Sequence, residues 1–200
     1  MQPNSAFSPA DQIQLQELVS FGFLVSNPEE MRIFIQRLKA FVPFTHFAFL
    51  ICPLDEHLLP KHLDWHLTNY PEQYVQNYLE EQAYYVDLVV WAHFREAGFG
   101  VLQHWQDTYQ AAQAQLERGE LSKELYDKHL KFLDYVREWG ILADGYSIGY
   151  RGLHPKSGEP VGSILSVADG LETTKRTEQI LTEIGPYLHQ MMVRIFLSPK

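Results

Sequence analysis

Apolar residues recur at helical spacing over much of this chain and alternate at strand spacing over a few short runs. Ser8 and Pro9 give a cap and first-turn signal, and Ile13, Leu15, Leu18, Val19 and Phe21 to Leu24 then supply the apolar side of a first helix. Asn27 and Pro28 open a second, with Glu29 and Glu30 in its first turn. Met31, Phe34, Ile35, Leu38 and Phe41 recur along it until Pro43 stops it. His46 to Cys52 is a dense apolar run of strand length. His62, Asp64 and His66 alternate with Leu63, Trp65 and Leu67, which predicts a second strand of the same sheet.

Pro71 is placed to start a third helix running to about Ala83, and a shorter helix or turn is predicted after Asp87. Gly98 and Gly100 break the chain. Gln110 to Arg118 and Ser122 to Glu138 read as helices, and Gly140 terminates the second. Tyr146 to Tyr150 alternates as a strand, His154 to Pro160 is a turn, and Val161 to Val167 returns as the partner strand. A last helix spans about Thr173 to Leu197, with Leu188, Met191, Met192 and Ile195 as a core stripe. Strands joined by turns rather than by regular helical crossovers favour an antiparallel sheet with helices packed on it.

One face carries unusual chemistry. At 100° per residue, Tyr70, Tyr74, Tyr78 and Tyr85 fall within roughly 80° of one another on a helix. Asp87 follows them and runs into Leu88, Val89, Val90 and Trp91. A buried phenol needs a hydrogen-bond partner and a buried carboxylate needs several, so core helices normally present Leu, Ile and Val instead. A bound polar molecule would serve as that partner. The same Asp87, standing before an apolar run, equally reads as a helix N-cap, and the two roles are compatible because a carboxylate has several acceptor sites.

Composition narrows the function classes. Two hundred residues make one domain with room for a core, and 46% hydrophobic with 14% aromatic content is globular rather than disordered. The formal charge of −9 and the scattering of Lys and Arg among acids argue against nucleic-acid binding by this chain itself. No apolar run reaches the length of a membrane span and Met1 to Ser8 lacks signal-peptide features, so the expectation is a cytoplasmic protein. The single cysteine, Cys52, is expected buried and structural. His62, Asp64 and His66 are read as exposed strand residues, and neither a metal nor a cofactor is expected. There is no HxHxDH-type metal motif or Gly-rich phosphate loop, so the chain is not expected to be an enzyme.

The ordered set Asn69-Tyr70-Pro71, Tyr74, Tyr78, Asp87, Trp105 and Gly140 resembles the autoinducer-binding domain of LuxR-type quorum-sensing regulators, from about Val19 to Phe196. That resemblance implies an α/β/α sandwich with a central antiparallel sheet of about five strands and helices on both faces. It also implies a pocket enclosing an N-acyl homoserine lactone. By that likeness Asp87 accepts the ligand amide N–H, Tyr70 donates to the acyl carbonyl, Tyr78 and Val90 line the pocket, and Trp105 packs on the lactone ring. Ser163 or Ser166 is the polar strand residue assisting at the acyl carbonyl. The likeness further implies a homodimer, with the stripe Leu188, Met191, Met192 and Ile195 sharing in its interface, and DNA binding only through a C-terminal helix-turn-helix domain. Residues 1–197 are then the sensor, and Ser198 to Lys200 begin a linker.

Three departures from the family pattern stand out. Tyr74 occupies the place of a Trp that donates to the lactone carbonyl, which opens the alternative of a non-lactone plant or bacterial signal read by a stand-alone sensor. Leu88 replaces a Pro. The segment between Trp105 and Gly140 is longer than the family's, so the lid over the pocket is expected to differ.

Overall fold

The computed structural model describes residues 7–57, 60–62, 64–95, 100–141 and 144–197. Helix α1 (Pro9–Leu24) starts with a complete capping box, in which the Ser8 side chain accepts from the Asp11 N–H and the Asp11 carboxylate accepts from the Ser8 N–H. Helix α2 (Pro28–Phe41) is capped by Asn27 and buries Met31, Phe34, Ile35, Leu38 and Phe41, the predicted stripe. Strands β1 (His46–Pro53) and β2 (Asp64–Thr68) follow, then α3 (Glu72–Glu80), a single 3₁₀ turn (Ala83–Tyr85) and α4 (Leu88–Arg95). Strand β3 (Leu102–His104) leads directly into α5 (Trp105–Glu117), and α6 (Lys123–Glu138) precedes the hairpin β4 (Gly145–Leu153) and β5 (Pro160–Ala168). Helix α7 (Lys175–Met192) runs on into one π-helical turn (Val193–Leu197).

The five strands form one antiparallel sheet in the order β2-β1-β5-β4-β3. The side-chain period of two divides them cleanly. Phe49 and Ile51 of β1, Tyr146 and Ile148 of β4, and Leu165 and Val167 of β5 meet α1, α2 and α7 in the main core. Leu50, Cys52 and Ile164 face the other way, against Tyr74, Tyr78, Val90 and Val136 of the α3 to α6 layer. The result is the expected α/β/α sandwich. Two arginines tie the first layer together. Arg176 of α7 reaches Asp11 Oδ1 of α1 at 2.6 and 2.9 Å, and Arg194 donates to the carbonyls of Gly22 and Val25 where α1 ends.

Several expectations need correction. Helix α1 buries Leu18 and Gly22 but leaves Ile13, Phe23 and Leu24 exposed, so its apolar residues do not form one buried face. The tyrosine helix is shorter than predicted: it ends at Glu80, and Gln82 takes a left-handed conformation (φ 52°) that redirects the chain. Tyr85 is consequently 54% exposed and does not share the face of Tyr74 and Tyr78, while Tyr70 precedes the helix. Strand β3 was not anticipated, and α5 begins at Trp105 rather than Gln110. Leu188, Met191 and Met192 are fully buried in the main core, which leaves them no free surface for a dimer contact, while Ile195 of the same stripe is partly buried.

The remaining boundaries agree closely with the sequence. Gly140 ends α6 with φ +75°. Cys52 is buried. His62 is exposed, whereas the side chains of Asp64, Trp65 and His66, and the expected break at Gly98, lie outside the described residues. Ser198 to Lys200, the expected linker, lie outside them as well. Among the described residues no group of His, Cys, Asp and Glu is arranged to hold a metal ion, and no helix is long and apolar enough to cross a membrane.

Candidate ligand-binding site

Between the sheet and the α3 to α6 layer lies a cavity of about 50 Å³ whose walls carry the polar and aromatic groups the sequence singled out. The sheet contributes Ala48, Leu50 and Ser166 to its walls, with Ser166 of β5 paired to Ala48 of β1.

The entry to α3 is fixed from β1. The Asn69 side chain accepts from the Phe47 N–H and donates to the Thr45 carbonyl, both at 2.7 Å, so it extends the strand ladder by one residue beyond β2. Tyr70 then stacks on His46 with ring centroids 5.3 Å apart, and its other neighbour is Tyr74 at 5.4 Å. Tyr74 and Tyr78, one helical turn apart, face the cavity together. The Tyr74 ring is held by Tyr135 at 5.9 Å and Trp139 at 6.1 Å, and Tyr78 meets Phe132 edge-on.

Asp87 sits at the junction of the 3₁₀ turn and α4. Tyr78 Oη donates to its Oδ2 at 2.9 Å, while its Oδ1 accepts from the N–H of Val89 at 2.9 Å and of Val90 at 3.4 Å. The Trp91 N–H bonds to the Asp87 carbonyl, so Asp87 is the N-cap of α4 and a cavity-wall acid at once. From α6, His129 Nδ1 donates to the Val86 carbonyl at 2.6 Å and pins the turn that carries it. Burial outweighs that bond and holds the His129 pKa low, so the ring is neutral near pH 7.

Enclosure sets the ionisation of the whole group. Burial pushes the Asp87 pKa up, and the bonds from Tyr78, Val90 and Val89 oppose that shift. The phenols of Tyr70, Tyr74, Tyr78 and Tyr109 are all pushed far above their ordinary range, first by burial. For Tyr74, Tyr78 and Tyr109 the nearby Asp87 charge comes next, and for Tyr70 the charge of Asp169 precedes it. Four protonated hydroxyls and one indole N–H therefore surround one carboxyl. Such an arrangement orients a polar group by hydrogen bonds.

Seven of the eight residues singled out from sequence line this cavity: Tyr70, Tyr74, Tyr78, Asp87, Val90, Trp105 and Ser166. Ser163 does not. It lies three residues from Ser166 on β5 and so on the opposite face, where its hydroxyl is 2.7 Å from His189 Nδ1 of α7. Tyr109 was missed. It stands one turn after Trp105 and packs with it against Val89 and Ala168. Its i, i+4 spacing from Trp105 was the available signal, hidden because α5 was expected to start later. A wider surface cleft of about 370 Å³ between α4, β3 and α5 is lined by Leu88, Trp91, Gln103 and Thr108 among others, but neither Asp87 nor any of the tyrosines with raised pKa lines it, and the smaller cavity is the better candidate.

The family model for the autoinducer binding domain matches residues 27–191. No curated protein matches the chain in sequence. Among solved structures, the VqsR LBD domain from Pseudomonas aeruginosa is similar over 96% of this chain and 100% of its own, at 17% identity and a TM-score of 0.58. The N-acylhomoserine lactone dependent LuxR family transcription factor CepR2 from Burkholderia cenocepacia is similar over 92% of this chain and 94% of its own, at 14% identity and a TM-score of 0.56. SdiA in complex with octanoyl-rac-glycerol is similar over 98% of this chain and 72% of its own, at 14% identity and a TM-score of 0.56. At such identities these structures establish a shared fold.

Proposed function

The chain belongs to the autoinducer-binding domain family of LuxR-type regulators, and we propose that its cavity takes an N-acyl homoserine lactone, gripped at the polar end by Asp87. The family is one of signal-binding regulator domains rather than enzymes. The observation that carries the proposal is the arrangement at Asp87: one oxygen held by the start of α4, the other by Tyr78, and the group placed on a cavity wall among phenols. A carboxyl so held has remaining acceptor sites for a ligand N–H. Tyr70 and Ser166 are the donors proposed for the acyl carbonyl, with Tyr78 and Val90 beside the chain.

An acyl chain needs more room than about 50 Å³, because sites for such ligands span several hundred Å³. Binding in this reading separates the α3 and α6 aromatics from the sheet and replaces their mutual contacts with contacts to the chain. About six methylenes at ~0.8 kcal/mol each contribute about 5 kcal/mol to that exchange. Ligand that binds only the folded protein stabilises it by RT ln(1 + [L]/Kd), which couples occupancy to the persistence of the fold. We propose that this coupling extends to dimerisation and, through a C-terminal helix-turn-helix domain, to DNA binding.

A second reading is an acylated signal without a lactone ring. Tyr74 motivates it, since a phenol both donates and accepts, and so does the acyl glycerol in the SdiA complex. Native mass spectrometry of the purified protein mixed with octanoyl homoserine lactone and with octanoyl glycerol tests both. The proposal expects a one-to-one complex with the intact lactone. Retention of the glycerol alone would favour the second reading, and accumulation of ring-opened lactone would refute binding without turnover.

A further inference from the structure

Among the described residues, four buried side-chain polar atoms have no hydrogen-bond partner: His46 Nδ1, Trp105 Nε1, His129 Nε2 and Tyr135 Oη. Of these four residues only Trp105 lines the cavity. An indole N–H donates and cannot accept, and a buried donor left unpaired costs more than an ordinary hydrogen bond is worth. Trp105 is 7% exposed, and its Nε1 is sealed from bulk solvent. A ligand oxygen would satisfy it.

Tyr74 occupies a different position. Its ring is fixed within the aromatic set of Tyr70, Tyr135 and Trp139, and its hydroxyl can turn to donate or to accept. A group able to do both discriminates poorly between ligand ends, whereas a fixed donor rejects a ligand that lacks the matching oxygen. Helix α5 places Trp105 and Tyr109 on the same wall, packed against Val89, two residues from Asp87.

Resting on the function proposed above, we infer that Trp105 is the specificity-determining donor of this site, its indole N–H selecting a ligand that presents an acceptor oxygen toward α5 while Asp87 takes the ligand's own N–H or O–H. The ligand class is then an acylated head group with one donor and a second, separate acceptor oxygen. A homoserine lactone has both. Its cyclopentyl amide counterpart keeps the amide N–H and the acyl chain but has no oxygen on the ring.

Calorimetric titration of the full chain, its Trp105→Phe variant and its Tyr74→Phe variant with octanoyl homoserine lactone and with N-octanoyl cyclopentylamide reads the selection directly. The unsubstituted protein should prefer the lactone by about tenfold or more. Trp105→Phe should weaken the lactone more than the cyclopentylamide and bring the preference to within about twofold, while Tyr74→Phe keeps it. A preference that survives in Trp105→Phe, or vanishes in Tyr74→Phe, overturns the assignment and leaves the binding function standing. Failure of the unsubstituted protein to bind either compound overturns both. Should Trp105→Phe not fold, the indole N–H resonance of Trp105 in the unsubstituted protein decides. It should move downfield with the lactone and not with the cyclopentylamide, and an equal response to the two refutes the assignment.

Discussion

The Tyr78 hydroxyl donates to the Asp87 carboxyl across 2.9 Å, joining the last turn of α3 to the start of α4 on one wall of the cavity. With its other oxygen accepting the Val89 and Val90 N–H groups, the acid is both a structural cap and an oriented acceptor. Each role has its own experimental signature.

Tyr78→Phe removes the bond and keeps the ring against Phe132. A hydrogen bond to a charged group is worth about 1.5 to 3 kcal/mol, and the loss should appear as that much destabilisation in urea unfolding. Lactone affinity should fall as well, by about tenfold, because Asp87 loses the contact that fixes its second oxygen. An unchanged affinity with the stability loss intact would confine Tyr78 to a structural role.

The raised pKa of Asp87 has a definite sign. The folded protein holds that proton to higher pH than the unfolded chain, whose Asp titrates near 3.8, so between those two values folding binds a proton and stability falls as pH rises. Asp87→Asn removes this dependence. The unfolding free energy of the variant minus that of the unsubstituted protein should therefore climb as pH is raised above about 4 and level off once the folded carboxyl is ionised. The Asp11–Arg176 pair, whose Asp is held well below 3.8 chiefly by the bond to Arg176, acts in the opposite sense on the acid side and cancels in the difference. A difference that is flat across this range, or falls, would mean that the carboxyl is not enclosed.

Tyr74→Trp should not simply restore a stronger donor. The site is packed on several sides by Tyr70, Tyr135 and Trp139, and the cavity has little spare volume. Overpacking of this kind costs about 1 to 3 kcal/mol, measurable as a lower midpoint in urea for the protein without ligand. No loss of stability would show that the aromatic wall is looser than its ring contacts imply.

Gly185 of α7 lies against Tyr150 of β4, and a Cβ there would stand 2.5 Å from Tyr150 Cε2 and 2.9 Å from its Oη. Gly185→Ala should destabilise the domain by about 1 to 3 kcal/mol in the same assay, despite the better helix propensity of Ala. A neutral result would mean that Tyr150 swings aside at no cost.

Much of this architecture is legible in the sequence because the signals are local. The Ser8-Pro9 cap, Asn27-Pro28, the Met31 to Phe41 stripe and the terminator Gly140 each act within a few residues, and all lie where they were expected. Tyr74, Tyr78 and Asp87 were readable for the same reason. What was not readable depends on partners distant in the chain. Ser163 and Ser166 could be told apart only once the pairing of Ser166 with Ala48 was known, since strand register decides which face each presents. Strand β3 has three residues, too few to show a period, and His104 makes no side-chain cap for α5, so neither boundary announced itself and Tyr109 was lost with them. The exposed Tyr85 was misplaced because its helical phase assumed an unbroken helix across the left-handed Gln82.

The most direct test is the ligand-dependent rise in melting temperature of the unsubstituted protein and of Asp87→Asn, measured with saturating octanoyl homoserine lactone. Asn caps a helix about as well as Asp, so the variant retains the start of α4 while losing the acceptor offered to the ligand. The account predicts a clear rise for the unsubstituted protein and little or none for Asp87→Asn, with both folded in the absence of lactone. Equal rises in the two proteins, or no rise in either, would contradict it.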